Sequence, residues 1–107
     1  MKEIKIYVGL NDRETKEQKF TSDRYIKVLK EVCFNYHTPF SFVLHEGGYF
    51  HENGDYVQEN TIVISFIDIE MDVANEIAKD LCVFFNQESI LVTTGNVEKH
   101  FISERIK

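Results

Sequence analysis

Apolar positions recur with a period of two in some stretches of this chain and of three to four in others, and the switches between the two periods mark out its elements. Ile4, Ile6, Val8 and Leu10 alternate with Lys5, Tyr7 and Gly9, the pattern of a half-buried strand. Asn11 to Lys19 is a charged run without periodicity and reads as a solvated loop. Thr21 or Ser22 can then cap a helix whose apolar stripe is Tyr25, Ile26, Leu29, Val32, Cys33 and Tyr36, with Lys27, Lys30 and Glu31 opposite. Pro39 ends that segment and launches a second strand.

The stretch from Phe40 to Ile69 organises the rest. Two apolar runs fold back on each other through Asn53-Gly54, a pair suited to a type I′ turn because both central residues need positive φ. Val57 to Ile69 alternates around Ile62, Ile64 and Phe66 and is rich in β-branched residues, which predicts a strand. Gly47-Gly48 reads as a bulge or bend in the strand before it. A second helix starts between Asp68 and Asp72 and carries Val73, Ala74, Ile77, Ala78, Leu81, Cys82, Phe84 and Phe85 on its apolar side. Ser89 to Thr94 is a last strand, Gly95-Asn96 a turn, and Val97 to Ile102 a short extension or edge piece.

Strand, helix, strand, strand, helix, strand, joined by right-handed crossovers, predicts an α+β fold. It is the ferredoxin-like sandwich, an antiparallel four-stranded sheet with both helices on one face. Alternation then assigns the faces. Ile4, Ile6, Val8, Leu10, Phe40, Phe42, Leu44, Ile62, Ile64 and Phe66 turn to the helices. Lys5, Tyr7, Gly9, Ser41, Val43, His45, Glu59, Thr61, Val63, Ser65 and Ile67 are left on an open face with an apolar middle. Such a patch is rarely bare in a monomer, so a homodimer through this face or a cavity over it is expected.

Length adds a single domain over 1–107. A hydrophobic fraction of 43% with only five Gly and one Pro describes an ordered globule. A net charge of −6 argues against direct nucleic-acid binding, which needs a clustered basic face. Cys33 and Cys82 have no metal spacing and read as reduced core residues. The N-terminal MKEIKIYVGL is too short and too charged for a signal peptide, and no stretch reaches the length of a membrane span. A cytoplasmic protein without membrane attachment is expected.

Little chemistry is announced by motif. His45, Glu46, His51, Glu52 and Asp55 crowd the hairpin, but neighbouring strand residues point to opposite faces and the rest flank a turn, so no metal is expected. Nor is any cofactor. Tyr49, Phe50 and Tyr56 lack the basic neighbours of a base-stacking surface and are expected to pack the hairpin on itself. His45 facing Glu59 or Tyr7 is an acid–base candidate, the competing reading being a hydrogen-bonded surface histidine. Glu88 lies just past a helix C-terminus, where the dipole disfavours a carboxylate, so a fixed donor, structural or from a ligand, is expected for it.

Tyr7-x-Gly9-Leu10, Gly48-Tyr49, Gly54, Glu59-x-Thr61 and Phe85-x-Gln87-Glu88-Ser89-Ile90 together resemble a bacterial family of small domains of unknown function, among them proteins described as lipoproteins. The correspondence spans most of the chain, and Gln87-Glu88-Ser89 is its distinctive part. It departs where the family has Pro-Arg-Phe-Pro and this chain reads His37-Thr38-Pro39-Phe40, and where Tyr49 replaces a usual Trp. The resemblance implies a ferredoxin-like fold and adds candidate positions without implying a reaction.

Three function classes follow. The first is a small ligand-binding domain, a homodimer, holding a polar molecule through Tyr7, His45, Glu59, Thr61, Gln87 and Glu88 at the open face and the helix–strand junction. The second is an acidic protein-interaction or inhibitor module, of a kind found in mobile elements. The third is a cofactor-free isomerase- or monooxygenase-like enzyme using His45 with Glu59 or Glu88.

Overall fold

The computed structural model describes residues 1–104; residues 105–107, the end of the unit expected over 1–107, lie outside the described residues. The elements are β1 (Lys2–Gly9), α1 (Ser22–Asn35), β2 (Ser41–Phe50), β3 (Tyr56–Ile67), α2 (Met71–Phe84) and β4 (Leu91–Asn96). In space the strands run β2-β3-β1-β4, with every neighbouring pair antiparallel. This is the α+β, ferredoxin-like arrangement that the pattern predicts.

The core forms on one face of the sheet because the period-two and period-3.6 stripes meet there. Ile6, Val8 and Leu10 lie beside Ile62, Ile64 and Phe66, and above them pack Tyr25, Leu29, Val32 and Cys33 of α1 with Ile77 and Leu81 of α2. Thr21 caps α1 by accepting from the Arg24 amide. The two helices are also tied by the Tyr36 hydroxyl, which donates to Asp80 at 2.7 Å. That bond and the nearby negative charge push the tyrosine's pKa up.

Two positions expected inside are not. Leu44 is 40% exposed, because the β2–β3 hairpin outruns the helices that would cover it in a molecule 60 Å long. Phe84 is 64% exposed. The core place at the end of α2 goes to Phe85, whose ring meets Tyr25 edge-on at 4.9 Å.

The hairpin turn also differs from the type I′ expectation. Gly54 alone has positive φ, +91°, while Asn53 does not. The Gly54 amide donates to the His51 carbonyl, and the His51 amide to that of Asp55. The result is a three-residue loop, a type I turn followed by a left-handed glycine. Gly47 and Gly48 form no bulge: they pair with Glu59 and Gln58 in unbroken register. Gly48 instead makes room for the Tyr56 hydroxyl, which occupies the place of a Cβ.

At the last strand the pairing runs two residues later than expected. Gly95 and Asn96 are not a turn but pair with Glu3 and Lys2. Among the described residues one further backbone bond, from the Val97 amide to the Met1 carbonyl, extends that edge, and 97–102 forms no strand. Both cysteines are free, and burial pushes the Cys33 thiol up to about 11. Among the described residues no helix is long and apolar enough to cross a membrane.

Candidate functional site

The Asn11–Lys19 segment, expected as a solvated loop, is a built structure. Asp12 is 4% exposed, and its Oδ1 accepts from the amides of Glu14 and Thr15 at 2.9 and 3.1 Å. Its other oxygen accepts from Asn86 Nδ2 at 2.8 Å and faces Lys19 Nζ at 3.5 Å. The Asn86 bond first, then the two amides and the lysine, hold this carboxyl well below the usual carboxylate range against the opposing effect of burial. The loop closes on itself through Asp12 N to Glu17 O and Lys16 N to Asp12 O, with Lys16 in the left-handed region at φ 64°.

This loop docks on the junction between α2 and β4. There α2 ends in a Schellman motif: the Asn86 amide donates to Val83 and the Gln87 amide to Cys82. Asn86 takes the left-handed position at φ 48°, which asparagine tolerates better than most residues. The chain reversal turns the Asn86 carbonyl to the Arg13 amide at 3.1 Å and Gln87 Nε2 to the Asn11 carbonyl at 2.7 Å. Loop and junction are thus joined by side-chain and backbone bonds at three consecutive residues, Asn11, Asp12 and Arg13.

Asn11 in turn reaches β3. Its amide donates to Glu59 Oε2 at 3.1 Å, and its Nδ2 to the Gln58 carbonyl at 3.1 Å. The Glu59 side chain lies across Gly9, where a Cβ would stand 2.6 Å from Oε2. Only a glycine leaves that space, so the carboxylate is seated by the strand beside it and by the loop beyond.

Around Glu59 opens a cleft of about 310 Å³. Asn11, Asp12, Arg13 and Lys16 line one side, Gln87, Glu88 and Ser89 another, and Tyr49 and Glu59 the sheet. Three expected residues, Glu59, Gln87 and Glu88, come together here. The other three lie on the adjoining open face: His45 and Gly9 flank Thr61, and Tyr7 sits between Val63 and Leu91. No hydrogen bond joins His45 to Glu59, Tyr7 or Glu88. Glu88 is exposed and has no hydrogen bond or ion pair among the described residues, so the donor expected for it is not a structural one. Among those residues no three His, Cys, Asp or Glu side chains group as metal ligands.

Sequence reasoning missed Asn11, Asp12, Arg13 and Lys16, and took Asn86 only as a residue closing the helix–strand turn. Asn-Asp directly after a strand signals a side-chain-capped turn, and Asn directly after a helix signals a left-handed cap. Tyr49, expected to pack within the hairpin, does meet His51 edge-on at 5.4 Å while also lining the cleft.

The fold is shared with a phage SAM lyase. That enzyme, solved in complex with S-methyl-5′-thioadenosine, is 25% identical to this chain, with a TM-score of 0.66 over 88% of this chain and 79% of its own. A DUF3240 family protein from Shewanella baltica OS155 matches 95% of this chain and 97% of its own at 7% identity and a TM-score of 0.55. CutA1 from Pyrococcus horikoshii matches 94% and 87% at 14% identity and a TM-score of 0.51. No family model and no curated protein matches the sequence.

Proposed function

We propose that the cleft binds S-adenosylmethionine and that the chain is a lyase cleaving its sulfonium carbon–sulfur bond. The observation that carries this reading is Glu59, a carboxylate seated over Gly9 and held by the Asn11 amide, facing the Gln87-Glu88-Ser89 junction across one cleft. Likeness to the phage lyase that holds S-methyl-5′-thioadenosine supports it. The chemistry fits the lining. A ribose offers two neighbouring hydroxyl donors, and a fixed carboxylate accepts both. Tyr49 offers a ring face to a base. The cleft volume is at the small end of ligand sites, which run from roughly 300 to 1,000 Å³.

Cleavage at a sulfonium needs little from a protein. The sulfur leaves as a neutral thioether, taking the bonding electrons, while the substrate's own carboxylate oxygen bonds to the γ-carbon and closes a lactone, so no acid has to protonate the leaving group and no water is consumed. The work left is to hold one conformer of a flexible substrate and keep water away from it. A metabolite substrate and reduced cysteines fit a cytoplasmic setting.

The reading includes self-association through the open face, of which the homodimer is the smallest form. Val43, Ile67 and Leu91 are more than half exposed there, around Tyr7 and Val63. A second copy on that face would enclose Tyr7, His45 and Thr61 beside the cleft, bringing them to the same ligand.

The test is incubation of the purified chain with S-adenosylmethionine, the products being separated and weighed by mass spectrometry. S-methyl-5′-thioadenosine is expected, with its formation cut about 100-fold or more in Glu59→Gln at unchanged melting temperature. Absence both of product formation and of calorimetric binding of the substrate or the thioadenosine would overturn the reading.

A further inference from the structure

We infer that Arg13, Lys16 and Glu88 form a subsite for an α-amino acid zwitterion at the mouth of the cleft, so that the ligand carries an aminocarboxypropyl tail as well as a nucleoside. The inference rests on the cleft reading above and adds what recognises the tail.

Arg13, Lys16 and Glu88 line the Glu59 cleft and also, with Glu14, a second hollow of about 290 Å³ that shares these three residues with it. Among the described residues none of the three makes an ion pair, although they share these walls. Two cations, Arg13 and Lys16, thus face one space with two carboxylates, Glu14 and Glu88, and none of the four is paired among the described residues. Opposite charges facing one space without cancelling match a ligand that bears both signs. Its carboxylate would meet the guanidinium and ammonium groups, and its ammonium the Glu88 carboxylate.

The backbone behind these side chains is fixed. The Arg13 amide is bonded to Asn86, the Lys16 amide to the carbonyl of buried Asp12, and Glu88 follows directly on Gln87, itself bonded to Asn11. The two cations and the anion therefore ride on the two segments that the Asp12–Asn86 bond joins. The backbone positions from which they reach are set before a ligand arrives.

Calorimetry with S-adenosylhomocysteine and S-methyl-5′-thioadenosine tests this, because both are uncharged at sulfur and only the first has the zwitterionic tail. The wild type is expected to bind both. Arg13→Gln with Lys16→Gln is expected to weaken S-adenosylhomocysteine about tenfold or more while changing the thioadenosine less than about twofold. Glu88→Gln should act in the same sense. A double variant that weakens both ligands alike, or neither, overturns the subsite while leaving the cleft reading intact. A wild type that binds neither overturns the cleft reading and the subsite with it. Unchanged melting temperatures in the variants, whose substituted side chains are exposed, separate lost binding from lost folding.

Discussion

Gly9 and Glu59 are matched in shape: the glycine on β1 leaves open the volume that the Glu59 carboxylate, reaching over from β3, fills. A methyl group at residue 9 would approach Oε1, Oε2 and Cδ to within 2.6–2.8 Å. Gly9 does not have positive φ, so alanine fits the backbone and only the carboxylate must move. Gly9→Ala is therefore expected to displace Glu59 from the Asn11 amide, weakening thioadenosine binding about tenfold or more. The fold should lose less than about 1 kcal/mol, since the side chain that gives way is a flexible one. Calorimetric titration beside chemical denaturation separates the two effects.

Asp12 supplies a pH signature. Its carboxyl is held well below the ordinary range in the folded chain, chiefly by Asn86 and the Thr15 and Glu14 amides. A depressed folded pKa contributes stability above the unfolded value, about 4, and that contribution is lost as pH falls below it. Asp12→Asn should melt at a lower temperature than the wild type at pH 7. The gap should narrow as the pH is lowered from about 4 towards 2. A gap independent of pH would mean the carboxylate's charge plays no part in holding the loop.

The fold was legible because it rests on periodicity. Ile4 to Leu10 and Ile62 to Phe66 alternate without interruption, and both helices carry one stripe each, so the antiparallel sandwich and the facing of its strands followed. The turn at Asn53-Gly54 was misread because a dipeptide does not fix loop length; the His51–Asp55 bond does, and it is set by the register of the strands. The site was half legible. Glu59, Gln87 and Glu88 stood out by position, but the loop that joins them did not. Its order comes from Asp12 bonding to Asn86, 74 residues away, which no local pattern reports. His45 drew notice as an acid–base group facing Glu59 or Tyr7, but strand alternation fixes only a shared face, and its cross-strand neighbour is Thr61.

The core makes a simpler claim. Ile64 is fully buried at the centre of β3, between Ile6 on β1 and Phe42 on β2, beneath both helices. Ile64→Ala should cost about 2–5 kcal/mol by urea denaturation, a large share of the roughly 5–15 kcal/mol typical of a domain. Val43→Ala, at an exposed position on the opposite face, should cost less than about 1 kcal/mol in a monomer.

That last contrast depends on whether the open face is covered. Val63 sits at its centre, paired with Tyr7 on one side and Val43 on the other. Its side chain points away from the helices, so a charge placed there disturbs no contact of the core. If copies associate through this face, a carboxylate at 63 is buried in the interface without a partner, a cost of several kcal/mol that separates the subunits. Light scattering should then give an oligomer for the wild type and a folded monomer for Val63→Glu. The same substitution should weaken thioadenosine binding if Tyr7, His45 and Thr61 complete the site only under a second copy. A monomeric wild type would remove self-association and leave those three residues outside the site, with the cleft around Glu59 standing alone.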